Sequence, residues 1–444
     1  MYYGSDELLE PKKVTGRLED LLEDSPGESN MVAPPGGNTD MTSDVSFWAL
    51  IRTGTRPVAA MGMMLIALVW TTIATGNAHA QTYAVLHAFT GGTDGQYPYD
   101  GLVMDAKGNL YGTTFQGGGV NSFGTIFKVN KAGKETILYS FGGVSDGAYP
   151  VGGLLRDSKA NLYGTTSAGG GTNSYGTIFQ LTGRLHEVVL YSFNNSANGL
   201  VPFAGLVADI AGNLYGTTYT GGSSSLGTVY KLRRKSLKEV VLHNFNGGTD
   251  GEFPWYGPLV RDSAGNMYGT TVYGGNGACG NGCGVVFKLD IHFVETILYN
   301  FGGGSDGENP FGGVIRDAAG NLYGTTHLGG AFGGGTVYKL DTTGKETILY
   351  SFAGGADGVE PYAGLIRDTR GNLYGTTQYG GTFNGGTMFK VNRTGKETVL
   401  HSFNPSTEGA YPTAPLALDA KGNLYGTTLY GGPSNDGVVF KLKP

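Results

Sequence analysis

Seven connectors along the chain carry an acidic or amide residue followed by Gly-x-x-Pro, and they hold most of the side chains that could do chemistry. The leading residues are Asp94, Asp146, Asn198, Asp250, Asp306, Asp357 and Glu408. Six carboxylates at one repeated position could form a ring that binds calcium or a polar ligand. Calcium takes six or more oxygens, and no dense Asp run supplies them, so a turn-forming role for Asp-Gly is favoured. The residue after the connector proline is aromatic in five of seven copies: Tyr99, Phe203, Trp255, Phe311 and Tyr362. Tyr256 stands beside Trp255, the one Trp after residue 80. Aromatic faces stack on sugar rings, so these six residues are the candidate ligand platform. The competing role is packing between repeats, and for Trp255–Tyr256 the two readings weigh about equally.

Other candidates are weaker. His327 follows a Thr-Thr pair at the start of a glycine-rich loop and is the one candidate general base there. His87, His243 and His401 occupy a strand position that is Tyr in other copies and are expected to be structural. Gly275–Gly280 matches Gly-x-Gly-x-x-Gly, but no helix follows to hold a pyrophosphate. Cys279 and Cys283 share one loop without a Cys-x-x-Cys pair or a His cluster, so neither a metal nor a cofactor is expected. No Gly-x-Ser-x-Gly, His-Glu-x-x-His or paired-carboxylate signature appears.

The elements that must position these residues repeat. Asn-Leu-Tyr-Gly-Thr-Thr starts at 109, 161, 213, 266, 321, 372 and 423, with Met267 in place of Leu in the fourth copy. Within residues 101–141 a short apolar run leads to the turn Asp-Ala-Lys-Gly-Asn. Asn109–Thr114 follows, then a glycine-rich loop, a run from Gly124 to Val129, and a run from Glu135 to Phe141. Ile137, Tyr139 and Phe141 fall on one face by the two-residue period. The turn Asp recurs in every copy, and the turn Gly in all but the second, which has Ala160. Four short strands every ~50 residues match a propeller blade. The array opens on a fourth-type strand, Tyr83–Phe89, and ends on a third-type strand, Val438–Leu442. Joining the two closes a ring and hides its edges. The expected fold is therefore all-β, a seven-bladed β-propeller of four-stranded blades over 81–444, closed by an N-terminal strand. The Thr-Thr pairs are expected to satisfy neighbouring backbone rather than to line a catalytic cavity.

Residues 1–55 are polar and read as a disordered leader, or as sequence ahead of a true start at Met31, Met41 or Met61. Residues 56–80 resemble a signal peptide: Arg52 and Arg56, an apolar run from Val58, and Ala78-His-Ala80 before Gln81. Its cleavage would leave no membrane segment, and the repeats are expected in a periplasmic or extracellular space, where a Cys279–Cys283 disulfide is favoured. The chain has 36 acidic and 30 basic residues; setting aside the 10 and 5 in residues 1–80 leaves 26 and 25. A nearly neutral repeat region gives no overall footprint for nucleic acid.

Gly-Asn-Leu-Tyr-Gly-Thr-Thr, then Gly-Gly, Gly-Thr-x-Phe-Lys and Glu-Thr-x-Leu-Tyr-Ser-Phe, resembles the GloVer (Gloeo–Verruco) tandem repeat over about residues 83–442. The resemblance implies an exported bacterial protein without an established activity. Members often carry a C-terminal anchor; its absence here favours release. Asp-x-x-Gly-Asn-Leu-Tyr is also similar to the turn–strand signature of NHL-type and lactonase or lyase propellers, a likeness of scaffold that transfers no catalytic residue. The expectation is an exported, monomeric, non-enzymatic binding propeller for an extracellular polysaccharide, surface polymer or surface protein. The alternatives are a lactonase- or lyase-type enzyme and a structural matrix protein.

Overall fold

The computed structural model describes residues 81–444 apart from Val120, Asn121 and Asn173; the expected leader 1–55 and expected signal peptide 56–80 lie outside the described residues. Seven antiparallel four-stranded sheets follow one another, and each runs in sequence order from its first to its fourth strand except the last. In blade 1 the strands are Val103–Met104, Leu110–Thr114, Thr125–Val129 and Glu135–Ser140. In blade 7 the chain supplies Ala417–Leu418, Leu424–Thr428 and Val438–Lys443, and the fourth strand is Thr82–Ala88 from the start of the propeller. The expected closure is therefore the observed one, with Tyr83 opposite Leu442 and Val85 opposite Phe440.

The seven-residue phrase has a structural cause at each position. Asp105 Oδ1 accepts from the backbone N–H of Lys107 and Asn109, while Oδ2 accepts from Asn109 Nδ2 and Tyr111 Oη. The Asn side-chain and Tyr hydroxyl bonds recur at the turn Asp of every blade, so this carboxylate organises the first turn and anchors the second strand. The strand glycine is required by its neighbour: a Cβ at Gly112 would lie 2.7 Å from the Phe127 ring. The second Thr of each pair is buried; Thr114 Oγ1 bonds Gln116 O and Thr125 Oγ1. That is the backbone-satisfying role expected of these pairs.

Seven apolar clusters fill the seams between blades. At each seam the Phe ending one fourth strand meets an aromatic ring of the next blade's third strand, as in Phe89–Phe127, Phe193–Tyr230 and Phe403–Phe440, with centroids 5.1, 5.2 and 5.1 Å apart. Each such pair adds roughly 0.5–1.5 kcal/mol beyond its area burial.

One expectation is corrected here. Ile137 and Tyr139 do not share a face. A bulge at Leu138 pairs Phe127 with Ile137 but Ile126 with Tyr139. The extra residue reverses the alternation, so Ile137 packs toward blade 7 while Tyr139 packs toward blade 2.

Ala160 holds φ +66° where six sister turns use glycine. Ala160→Gly should raise unfolding stability by about 1 kcal/mol; a denaturant midpoint that does not rise would contradict the strain.

Candidate functional site

Each first strand runs inward from its connector, so the connectors and the glycine-rich loops share one face of the disk. Isolated bridges such as Gln96–Gln116 and Val359–Tyr379 tie the two loop sets together. The residue before each connector proline is left-handed: Tyr97, Tyr149, Val201, Phe253, Asn309, Glu360 and Tyr411 have φ between 54° and 58°. This backbone lets one residue stitch two blades. Tyr97 N–H donates to Asp436 O of blade 7, and Tyr97 O accepts from Phe115 N–H of blade 1. The same pair of bonds recurs at Glu360, with Gly334 O and Gln378 N–H. Non-glycine residues held at positive φ cost about 1–3 kcal/mol each and cluster at functional sites.

The six candidate aromatics converge on the axis of the ring. Tyr256 stacks on Tyr99 with centroids 5.4 Å apart, contacts Phe203 at 5.6 Å and meets Tyr362 at 5.3 Å. Trp255 lies 5.8 Å from Phe203 and 5.6 Å from Phe311. Tyr99 and Phe203 are buried at 8% and 3% exposure, so they pack the axis and offer no free face; the other four are half-buried. Burial pushes the Tyr99, Tyr256 and Tyr362 hydroxyls well above the ordinary tyrosine range. The platform predicted from sequence is therefore largely a plug.

Its cause is a single inserted residue. Leu259 stands five positions after Pro254, against four in the other connectors, for example Pro202 to Leu206. The extra residue is Tyr256, which fills the axis. Thr165 and Thr325 bond the connector of the next blade, at Ala204 O and Ala363 O, whereas the equivalent Thr217 Oγ1, facing the altered connector, has no partner.

Around the plug, nearer the connector face, lies a second set of rings that the sequence reading missed. Tyr379–Tyr411, Tyr411–Tyr430 and Tyr430–Tyr97 form one arc, with centroids 5.0, 6.0 and 5.1 Å apart. Tyr219–Phe253 forms another at 5.0 Å. All are half-buried. Burial raises Tyr379, and the Glu360 carboxylate and the Tyr411 and Tyr430 hydroxyls raise it further. The arcs are broken at blades 5 and 6 by Asn309, Glu360, Gln378 and His327. His327 Nε2 lies 3.6 Å from Glu360 Oε2, and its ring stands edge-on to Phe311 at 5.0 Å. Burial lowers His327 to about 4 and raises Glu360, so the histidine is neutral at pH 7 and its buried Nδ1 has no partner. The histidine alone was legible; Glu360 reaches it only because its connector belongs to the next blade.

Asp100 is a further residue not foreseen. It stands at the axis where other connectors have Gly or Ala, beside Tyr99, Tyr256 and Tyr362, and burial raises it to about 6.

The connector carboxylates do not point into a shared site. Asp146 Oδ2 accepts from Gly142 N–H and Tyr139 Oη, and Asp306 and Asp357 repeat the pattern. His243 and His401 replace that Tyr and contact Asp250 and Glu408 at 3.1 and 3.2 Å. One seam could hold a divalent cation: ligand atoms of His243, Asp250 and Glu295 lie within 4.8 Å of one another. Cys279 and Cys283 form a disulfide in the loop that carries Gly275–Gly280, and a strand, Val285–Leu289, follows it.

Comparison with known proteins is consistent with this architecture. The profile of the Gloeobacter/Verrucomicrobia repeat matches residues 70–281 and 256–444. A search of curated proteins finds no match. Among solved structures, the chain is similar to oligogalacturonate lyase from Vibrio parahaemolyticus, with TM-score 0.52, 12% identity, and coverage of 83% of this chain and 94% of that one. It is also similar to the extracellular domain of the hybrid two-component system BT4673 from B. thetaiotaomicron, with TM-score 0.55, 12% identity, and coverage of 81% of this chain. The chain spans 39% of the length of that domain. At these identities the likeness is one of fold.

Proposed function

This chain belongs to the Gloeobacter/Verrucomicrobia repeat family, and from that premise we propose that it is an exported binding propeller that takes a polysaccharide at the mouth of its connector face. The observation that carries the reading is the pair of half-buried aromatic arcs around the axis, in which Tyr97, Phe253 and Tyr411, left-handed before their connector prolines, meet Tyr219, Tyr379 and Tyr430 of the glycine-rich loops. Half-buried aromatic rings at a mouth offer surface for stacking, which suits a sugar. The connector face has no Lys or Arg among its described residues, while Glu252, Glu308, Glu360, Glu408 and Asp436 lie on it. An acidic polymer is therefore disfavoured, and the ligand is a neutral or amino-substituted glycan. Export rests on the apolar run from Val58 with Ala78-His-Ala80, and the disulfide suits an oxidising compartment. No helix among the described residues is long and apolar enough to cross a membrane.

A binding screen of residues 81–444 on neutral, amino and acidic glycans tests the reading. Retention on a neutral or amino glycan should fall at least about tenfold in the Tyr379→Ala/Tyr411→Ala double variant, since each lost stacking face is worth on the order of 1 kcal/mol. Retention on none, or unchanged retention by the variant, would sink it.

The His327–Glu360 pair favours one rival, an enzyme that moves a proton on the bound sugar. His327→Ala separates them: a binding protein keeps its ligand, whereas an enzyme loses turnover.

A further inference from the structure

The net charge of the propeller conceals a segregation by face. All 25 Lys and Arg of residues 81–444 lie in the turns joining first to second and third to fourth strands, or in the strand residues beside them. Nine carboxylates share that face: the seven turn aspartates, Asp290 and Asp341. Six further glutamates begin the outermost strands beside the same turns, which leaves 25 basic against 15 acidic residues there. No described Lys or Arg forms an ion pair with a described carboxylate. The turn face is thus a broad basic surface opposite an acidic one, and such a field steers and orients a molecule toward an anionic partner.

Apolar residues stand out on one sector of this face. In blades 1, 5 and 6 the turn between third and fourth strands holds Gly133, Gly344 and Gly395 at φ 80–82°. Blades 2, 3 and 4 put Leu185, Leu237 and Phe293 at that position, at φ 62°, 51° and 65°. Left-handed backbone costs a non-glycine residue roughly 1–2 kcal/mol, and sister turns show that glycine serves. Leu185 and Leu237 nevertheless project into solvent at 51% and 43% exposure, with Ile291 and Val294 of blade 4 exposed beside them and Ile210 fully exposed on blade 3. Phe293 packs against the seam between blades 3 and 4, but at Leu185 and Leu237 the strain and the exposure have no counterpart in the apolar clusters of the ring. Positive charge adjoins these tips, with Arg184 on blade 2 and Arg233, Lys235 and Lys238 on blade 3.

We propose that the turn face docks on an anionic lipid surface, with the apolar tips of blades 2–4 entering the headgroup layer and the mouth facing away from it. Basic residues attract anionic headgroups at about 1 kcal/mol per charge near the surface. Exposed Leu and Ile gain free energy by burial among acyl chains. A nucleic acid or a soluble polyanion would satisfy the charge but would leave the apolar tips in water.

The test is flotation of residues 81–444, whose ring is complete without the apolar run at 58–74, with two vesicle types. One is phosphatidylcholine alone and the other contains 30% phosphatidylglycerol, about the anionic content at which such attraction is expected. The protein should float with the anionic vesicles only, and 0.5 M salt should release it, roughly the strength at which surface charges are screened. Leu185→Gly/Leu237→Gly restores the residue of the sister turns, so it should fold with equal or higher stability yet lose at least about fivefold in vesicle binding. Arg233→Gln/Lys235→Gln/Lys238→Gln should lose at least about tenfold. Equal flotation with both vesicle types, binding unchanged in either variant, or retention on heparin or duplex DNA without flotation would overturn the proposal.

Discussion

Raising the pH from about 5 to 8.5 should lower the melting temperature of residues 81–444 by at least roughly 5 °C. The cause is a set of carboxyl pairs at the seams. The first residue of an outermost strand is Glu135, Glu187, Glu239, Glu295, Glu346 or Glu397 in blades 1 to 6. Burial pushes five of them up to about 7, and in all of these but Glu239 the connector aspartate of the preceding seam adds to it. Glu295 rises to about 9, through burial and then its hydrogen bond and charge contact with Asp250. Asp250 itself is held at about 2: burial opposes this, but bonds from His243, Glu295 and Asn246 outweigh it. At neutral pH five of these glutamates are about half protonated in the folded ring and Glu295 is protonated, whereas all six are ionised in the unfolded chain. Their contribution is complete below about 4.5 and is lost as pH rises through about 7, the last part near 9 at Glu295.

Two groups act in the opposite sense. Burial lowers His87, His327 and His401, so their contribution is present above about 6.5 and lost toward lower pH. The turn aspartates are depressed by their hydrogen bonds from Asn and Tyr, which outweigh partial burial, and that contribution disappears only in stronger acid. Six glutamates and Asp100 outweigh three histidines, so maximal stability should lie near pH 5. Glu295→Gln/Glu346→Gln should flatten the fall above pH 6. A wild-type melting temperature that stays level or rises to pH 8.5 would contradict the seam description.

Removing residues 81–89 should abolish the fold rather than weaken it. The closing strand supplies the whole outer edge of blade 7. Tyr83 stacks on His401 with centroids 4.0 Å apart, packs against Phe440 at 5.7 Å and donates to Glu408 O at 2.6 Å. Phe89 is completely buried against Phe127 of blade 1. Loss of the segment would expose the Val438–Lys443 edge and open the seam between blades 7 and 1, and an open apolar edge pairs with other chains. Size-exclusion chromatography should show aggregate or no soluble protein. A soluble monomer with an unchanged cooperative melt would show that the ring does not depend on closure.

The repeat made the architecture legible, because each phrase position answers a local need. Asp, Asn and Tyr bind one another across the first turn, Gly112 makes room for Phe127, and the offset between Tyr83–Phe89 and Val438–Leu442 announces closure. The candidate site was legible only in part. Counting aromatics found the residues after the connector prolines, but their convergence on the axis depends on the sevenfold geometry. The single inserted residue that makes Tyr256 a plug was visible as a five-residue spacing from Pro254 to Leu259. The mouth was missed because Tyr379, Tyr411 and Tyr430 are unremarkable singly and meet only across blades. The two charged faces were missed because a net charge near zero sums over positions that the strand topology separates.

Trp255 offers the most direct measurement. It is the one Trp of residues 81–444, and it lies 4.5 Å from the Tyr219 ring at the mouth and beside Tyr256 in the plug. Titration of this fragment with the glycan that it retains should change Trp255 emission saturably. Tyr379→Ala/Tyr411→Ala should move the midpoint to at least about tenfold higher concentration, the effect of losing two stacking faces. A retained glycan that leaves Trp255 emission unchanged, with the same affinity for the double variant, would contradict a binding site at this mouth.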